Sequence, residues 1–91
     1  MPKIEDGTVV GIPCTVSTGP FSDEKLISFQ AVSGAVSGFV GESELQQSAG
    51  RWTVKALVES TDSKNAEVRV RGSFFTTNGV ATVSLSDIRR D

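Results

Sequence analysis

Ile27-Ser28-Phe29-Gln30-Ala31-Val32-Ser33-Gly34-Ala35-Val36-Ser37-Gly38-Phe39-Val40 is the stretch on which the fold turns. Apolar and small or polar residues alternate on both sides of a Ser-Gly pair, and a period of two marks a strand with one buried face. Ser33-Gly34 suits a two-residue hairpin connection. Pairing Val32 with Ala35 sets Ala31 opposite Val36, Phe29 opposite Gly38 and Ile27 opposite Val40, all on one face. The other face then carries Ser28, Gln30, Val32, Ala35, Ser37 and Phe39.

A second turn signal, Asn78-Gly79, lies near the other end of the chain. Its residues suit the positive φ angles of a type I′ turn. Pairing Thr77 with Val80 sets Phe74 opposite Val83, Gly72 opposite Leu85 and Thr76 opposite Ala81, and the inward set extends back through Val70 and Val68. Arg69, Arg71, Ser73, Phe75 and Thr77 then point outward, facing Val80, Thr82 and Ser84.

The remaining segments read the same way. Val10, Ile12, Cys14 and Val16 share a face of a strand over residues 8–16, and Pro13 predicts that this strand is an edge or carries a bulge. Residues 17–23 form a loop punctuated by Gly19-Pro20. Glu42 to Gln46 reads as a short helical turn with Leu45 folded back over the barrel end. In the strand 51–59, Trp52, Val54, Ala56 and Val58 face inward, and Arg51, Thr53, Lys55, Leu57 and Glu59 face outward. Thr61 to Asn65 is a polar turn. The expected architecture is all-β: one small barrel of about six antiparallel strands over residues 7–89, with flexible termini at 1–6 and 90–91.

The two halves also resemble each other. Each ends a strand on a valine, Val40 or Val83, and continues into a Ser-acidic-aliphatic step, Ser43-Glu44-Leu45 or Ser86-Asp87-Ile88. The turns and the closing steps have slightly different offsets, as a bulge in one copy would produce. Internal duplication and chance likeness of short β patterns both remain open.

The order of strand, Gly19-Pro20-Phe21 loop, hairpin, and Gly38-Phe39-Val40 leading into Ser43-Glu44-Leu45 resembles the Src-homology-3-like small barrels. In those barrels a late strand often reads Gly-aromatic-Val before a short helical turn. The likeness covers most of residues 7–88, and the second half, from Val54 through Val68-Arg69-Val70 to Val83 and Ile88, resembles the pattern again. It implies a small barrel. Members that bind proline-rich peptides carry tyrosines in their groove, and this chain has none, so that activity is not implied.

Composition narrows the chemistry. The 91 residues suffice for one core and not for two. Histidine is absent and Cys14 is the only cysteine, so Ser-His-Asp and Cys-His catalysis and an internal disulfide are excluded. Residues 1–6 lack an apolar signal core and no run is long enough to span a bilayer, which leads to an expectation of a cytoplasmic protein. The net charge of −2 gives no overall basic footprint for nucleic acid. No cofactor and no metal are expected, and no catalytic residue is assigned.

Two outward surfaces are candidates for binding. The first is apolar: Phe39 and Phe75, accompanied by Val32, Val80 and Leu57, with Phe21 in the Gly-Pro loop. Clustered, these exceed scattered exposure and mark an interface with another protein or with a second copy in a homodimer. Barrel curvature or terminal segments covering them is the competing reading. The second is a basic stripe of Lys55, Arg69 and Arg71, near Arg51, which points to nucleic acid. Pairing Val58 with Val68 sets Lys55 beside Arg71, whereas pairing Val58 with Val70 sets Glu59 beside Arg69 and neutralises the stripe. Glu42, Glu44 and Asp87 occupy separate turns and read as solvated, and Cys14 reads as a buried small hydrophobe.

Overall fold

The computed structural model describes residues 6–18, 23–48, 50–75 and 79–88. Its elements are β1 (Val9–Thr18), β2 (Glu24–Ala31), β3 (Gly34–Gly41), a 3₁₀ turn (Glu42–Glu44), β4 (Leu45–Ser48), β5 (Arg51–Thr61), β6 (Asn65–Arg69), β7 (Ser73–Phe74), β8 (Val80–Ser84) and a second 3₁₀ turn (Leu85–Asp87). The eight strands form one curled antiparallel half-barrel sheet in the order β7-β3-β2-β1-β5-β6-β8, with β4 also paired to β5. The expected six strands become eight because residues 45–48 form β4 and because the strand expected before Asn78-Gly79 divides into β6 and β7, while β1 and β5 are long and change partners along their length. β1 pairs with β5 through Val9 to Cys14 and with β2 through Thr15 to Thr18.

The face assignments follow from the period-two pattern. Val10, Ile12, Ile27, Phe29, Val36, Val40, Val54, Val58, Val68 and Val83 are all buried in one cluster. Each buried valine or isoleucine contributes roughly 1.5–3 kcal/mol by leaving water. Both 3₁₀ turns end the same way: the amide of Leu45 donates to the Glu42 carbonyl, and that of Ile88 to the Leu85 carbonyl. Leu45 and Ile88 both pack on the core, so the repeated Ser-acidic-aliphatic step is a repeated local structure.

The first hairpin is displaced from its expected register. Ala31 pairs with Gly34, Phe29 with Val36 and Ile27 with Gly38, so the turn residues are Val32 and Ser33 instead of Ser33-Gly34. The displacement is two residues in pairing sum, an even number, and every side chain keeps its face. The amide of Val32 donates to the Thr82 carbonyl of β8 at 2.8 Å, so it does not serve a pairing with Ala35. Gly34 stands just after the turn at φ +133°, which a side chain at that position would resist.

The second hairpin does not form as expected. β7 pairs with β3, Gly38 opposite Phe74 and Phe39 opposite Ser73, while β8 pairs with β6, Ala66 opposite Val83. Asn78 lies outside the described residues, but Gly79 has φ +88° and its carbonyl accepts the Val70 amide at 2.7 Å. The glycine therefore helps close a wide loop between β6 and β8, with β7 reaching across to β3 inside that loop. Close approach makes this crossing feasible: a Cβ on Gly38 would lie 2.5 Å from the Ser73 carbonyl oxygen.

Three smaller expectations also change. Pro13 is neither on an edge strand nor at a bulge. Val58 donates to the Thr8 carbonyl, which turns the even positions of β1 toward β5, so Pro13 directs its nitrogen to the side where the β2 ladder begins only at Thr15. The helical turn expected over 42–46 ends at Glu44, and Leu45 and Gln46 are strand because they pair with Val54 and Thr53. Trp52 shares the inward parity but is half-buried and lies outside the core cluster, since it sits at the end of the β1–β5 ladder opposite Cys14. The termini expected at 1–6 and 90–91 lie outside the described residues, Asp6 excepted.

Candidate interaction surfaces

Phe39 and Phe75 meet. Gly38 opposite Phe74 puts Ser37 opposite Phe75, and the Phe75 amide donates to the Ser37 carbonyl at 3.1 Å. Phe39 and Phe75 are then diagonal neighbours on the outward face, a separation that aromatic rings can bridge. Their centroids lie 5.6 Å apart at an interplanar angle of 77°, the edge-to-face arrangement that ring quadrupoles favour. Phe74 turns the other way and packs edge-to-face on Phe29 at 6.3 Å. Adjacent phenylalanines thus divide by parity between core and surface. Phe75 remains 63% exposed and Phe39 is half-buried.

The other members of the expected apolar surface lie elsewhere. Val32 and Val80 line a shallow groove at the β2–β3 turn with Glu67 and Thr82. Leu57 belongs to a row across four strands, Val9–Leu57–Arg69–Val80, set by consecutive ladder registers. The expected single patch therefore divides into an aromatic corner on β3 and β7 and a band of Val9, Leu57 and Val80 on β1, β5 and β8 that Arg69 of β6 interrupts. Phe21 lies outside the described residues.

That band runs into the basic stripe. Val58 pairs with Val68 and Leu57 with Arg69, which carries Arg71 toward Lys55. The ladder then slips between Val58 and Ser60, and the slip brings Glu59 within reach of Arg69, whose Nη2 donates to Glu59 Oε1 at 3.2 Å. The register of Val58 with Val68 is therefore the one that forms and that of Val58 with Val70 does not, yet Glu59 still meets Arg69 beside the bulge. Lys55, Arg69 and Arg71 line a groove of about 370 Å³ together with Val9, Leu57, Ala56 and Glu44. Val9 is 56% exposed and Leu57 39%. Sequence reading passed over Val9 and Glu44 in this groove. Val9 carried a signal, since it sits on the outward parity of β1.

Other titratable groups are less connected. Burial pushes the Cys14 thiol up to about 11, which leaves it protonated and a poor nucleophile at neutral pH. Glu42 pairs with Lys25 at 3.7 Å, and Asp87 lies in the other 3₁₀ turn. Asp62 accepts the amides of Lys64 and Asn65 at 2.8 and 2.7 Å, and these bonds hold its carboxyl below the usual aspartate value.

Among the described residues no helix is long and apolar enough to cross a membrane. The chain matches no protein-family model, no curated protein and no solved structure, so its function has to be read from these surfaces alone.

Proposed function

We propose that this chain is a non-catalytic cytoplasmic module that binds another protein, with Phe39 and Phe75 as its anchoring side chains. The observation that carries this reading is the ring contact between a largely exposed Phe75 and a half-buried Phe39. Binding energy in protein interfaces concentrates in a few aromatic anchors. Rings that already rest on each other have less rotamer freedom to lose on association, so more of the contact energy appears as affinity. The lack of histidine and the raised thiol pKa of Cys14 support a non-catalytic role.

The test uses purified chain as bait in three forms: wild type, Phe75→Asp and Lys64→Ala. A protein retained by wild type and Lys64→Ala, lost with Phe75→Asp, and binding directly once purified supports the proposal. Equal retention by all three forms contradicts it. Sedimentation of the wild-type chain alone separates partner binding from self-association, and a dimer that Phe75→Asp dissolves would replace the partner with a second copy.

A further inference from the structure

The groove beside β1, β5 and β6 combines two features that the aromatic corner lacks: cations and an aliphatic floor. Lys55 and Leu57 lie two positions apart on one face of β5, a spacing of roughly 7 Å along a strand. On the adjacent strand Arg69 stands opposite Leu57, and Arg71, just beyond the end of β6, lines the same groove. Val9 extends the floor beside Leu57. Among the described residues Arg69 is held by Glu59, and neither Lys55 nor Arg71 has an ion-pair partner.

We propose that this groove receives an extended acidic segment of a partner protein, with a carboxylate between Lys55 and Arg71 and an apolar side chain on Val9 and Leu57. Charge complementarity selects this occupant. Alternate residues of an extended chain repeat at the spacing of Lys55 and Leu57, so an acidic residue and an apolar residue at positions i and i+2 meet a cation and the floor in register. A nucleic-acid strand fits less well. No aromatic side chain lines the groove to stack a base, two unpaired cations displace few counterions, and Glu44 and Glu59 oppose a continuous run of phosphates. This surface is distinct from the aromatic corner, and the inference does not depend on Phe39 or Phe75.

Titration of the ¹⁵N-labelled chain followed by amide chemical shifts tests it with three probes. These are a short extended peptide with glutamate and valine two positions apart and serine between them, the same peptide with glutamine in place of glutamate, and a short single-stranded oligothymidylate. The expected result is saturable movement of the Lys55, Leu57 and Arg71 amides with the acidic peptide, and about tenfold weaker binding of the glutamine form. Arg71→Glu should abolish the response, and Arg71→Gln, which removes only the charge, should weaken it severalfold. Phe75→Asp should leave it intact, which separates this site from the proposed aromatic anchor. Equal affinity for the two peptides, tighter binding of the oligonucleotide, or shifts confined to other residues would overturn the proposal.

Discussion

The aromatic corner and the basic groove are outward surfaces of the same curled sheet, yet they are held by different means. The groove rests on long ladders: Val9 to Cys14 against Trp52 to Leu57, and β6 against the end of β5. The corner depends on β7, two residues long, drawn against β3 where Gly38 leaves room for the Ser73 carbonyl. The corner is apolar and its rings meet edge-to-face, whereas the groove is charged and partly neutralised by Glu59. A surface on long ladders tolerates substitution, and one hung on a short crossing strand fails when the crossing is blocked.

Blocking the crossing is therefore the largest expected effect. Gly38→Val places a branched side chain where the β7 backbone runs, and overpacking of this kind costs about 2 kcal/mol. Denaturant unfolding should show that loss, and aromatic NMR should show the Phe39–Phe75 contact broken while the amides of Lys55 and Leu57 keep their shifts. Unchanged stability would mean that β7 does not depend on this close approach.

Phe75→Asp is the gentler test of the corner. Its side chain is mostly solvated, so stability should change by less than about 0.5 kcal/mol while affinity for the protein partner falls about tenfold or more. Ionic strength should then separate the two surfaces without any substitution. Raising salt from low to roughly 0.5 M should weaken acidic-peptide binding at the groove severalfold and leave binding at the corner within about twofold.

The smallest effect is expected at the turn joining β5 to β6. Asp62 has its folded pKa lowered by the Lys64 and Asn65 amides, so its contribution is present above the usual aspartate pKa and fades as pH falls through the lower folded value. The amide shifts of Lys64 and Asn65 should follow that acid transition, and Asp62→Asn should remove it. The corner resonances should not respond.

Side-chain parity was legible in the sequence, because a two-residue period survives any even change of register. Phe74 and Phe75 were separated correctly into core and surface for that reason. Partner choice was not legible. Asn78-Gly79 has the composition of a tight turn, but β8 finds a five-position ladder on the open edge of β6, and β7 pairs with β3. The site of the first turn was also set from a distance, by the bond from Val32 to Thr82. The bulge after Val58 joins Leu57, Arg69 and Glu59 in a way that neither uninterrupted register contained. Local pattern fixes which way a residue points, and non-local competition for strand edges decides its neighbours.

The central claim, that Phe75 touches a protein partner, is tested most directly by replacing Phe75 with p-benzoylphenylalanine and irradiating cells that produce the chain. The same replacement at Lys64, an exposed position in the β5–β6 turn, is the control. The account predicts a discrete covalent adduct from position 75 that is absent from position 64. No adduct at position 75, or the same adducts from both positions, would contradict it.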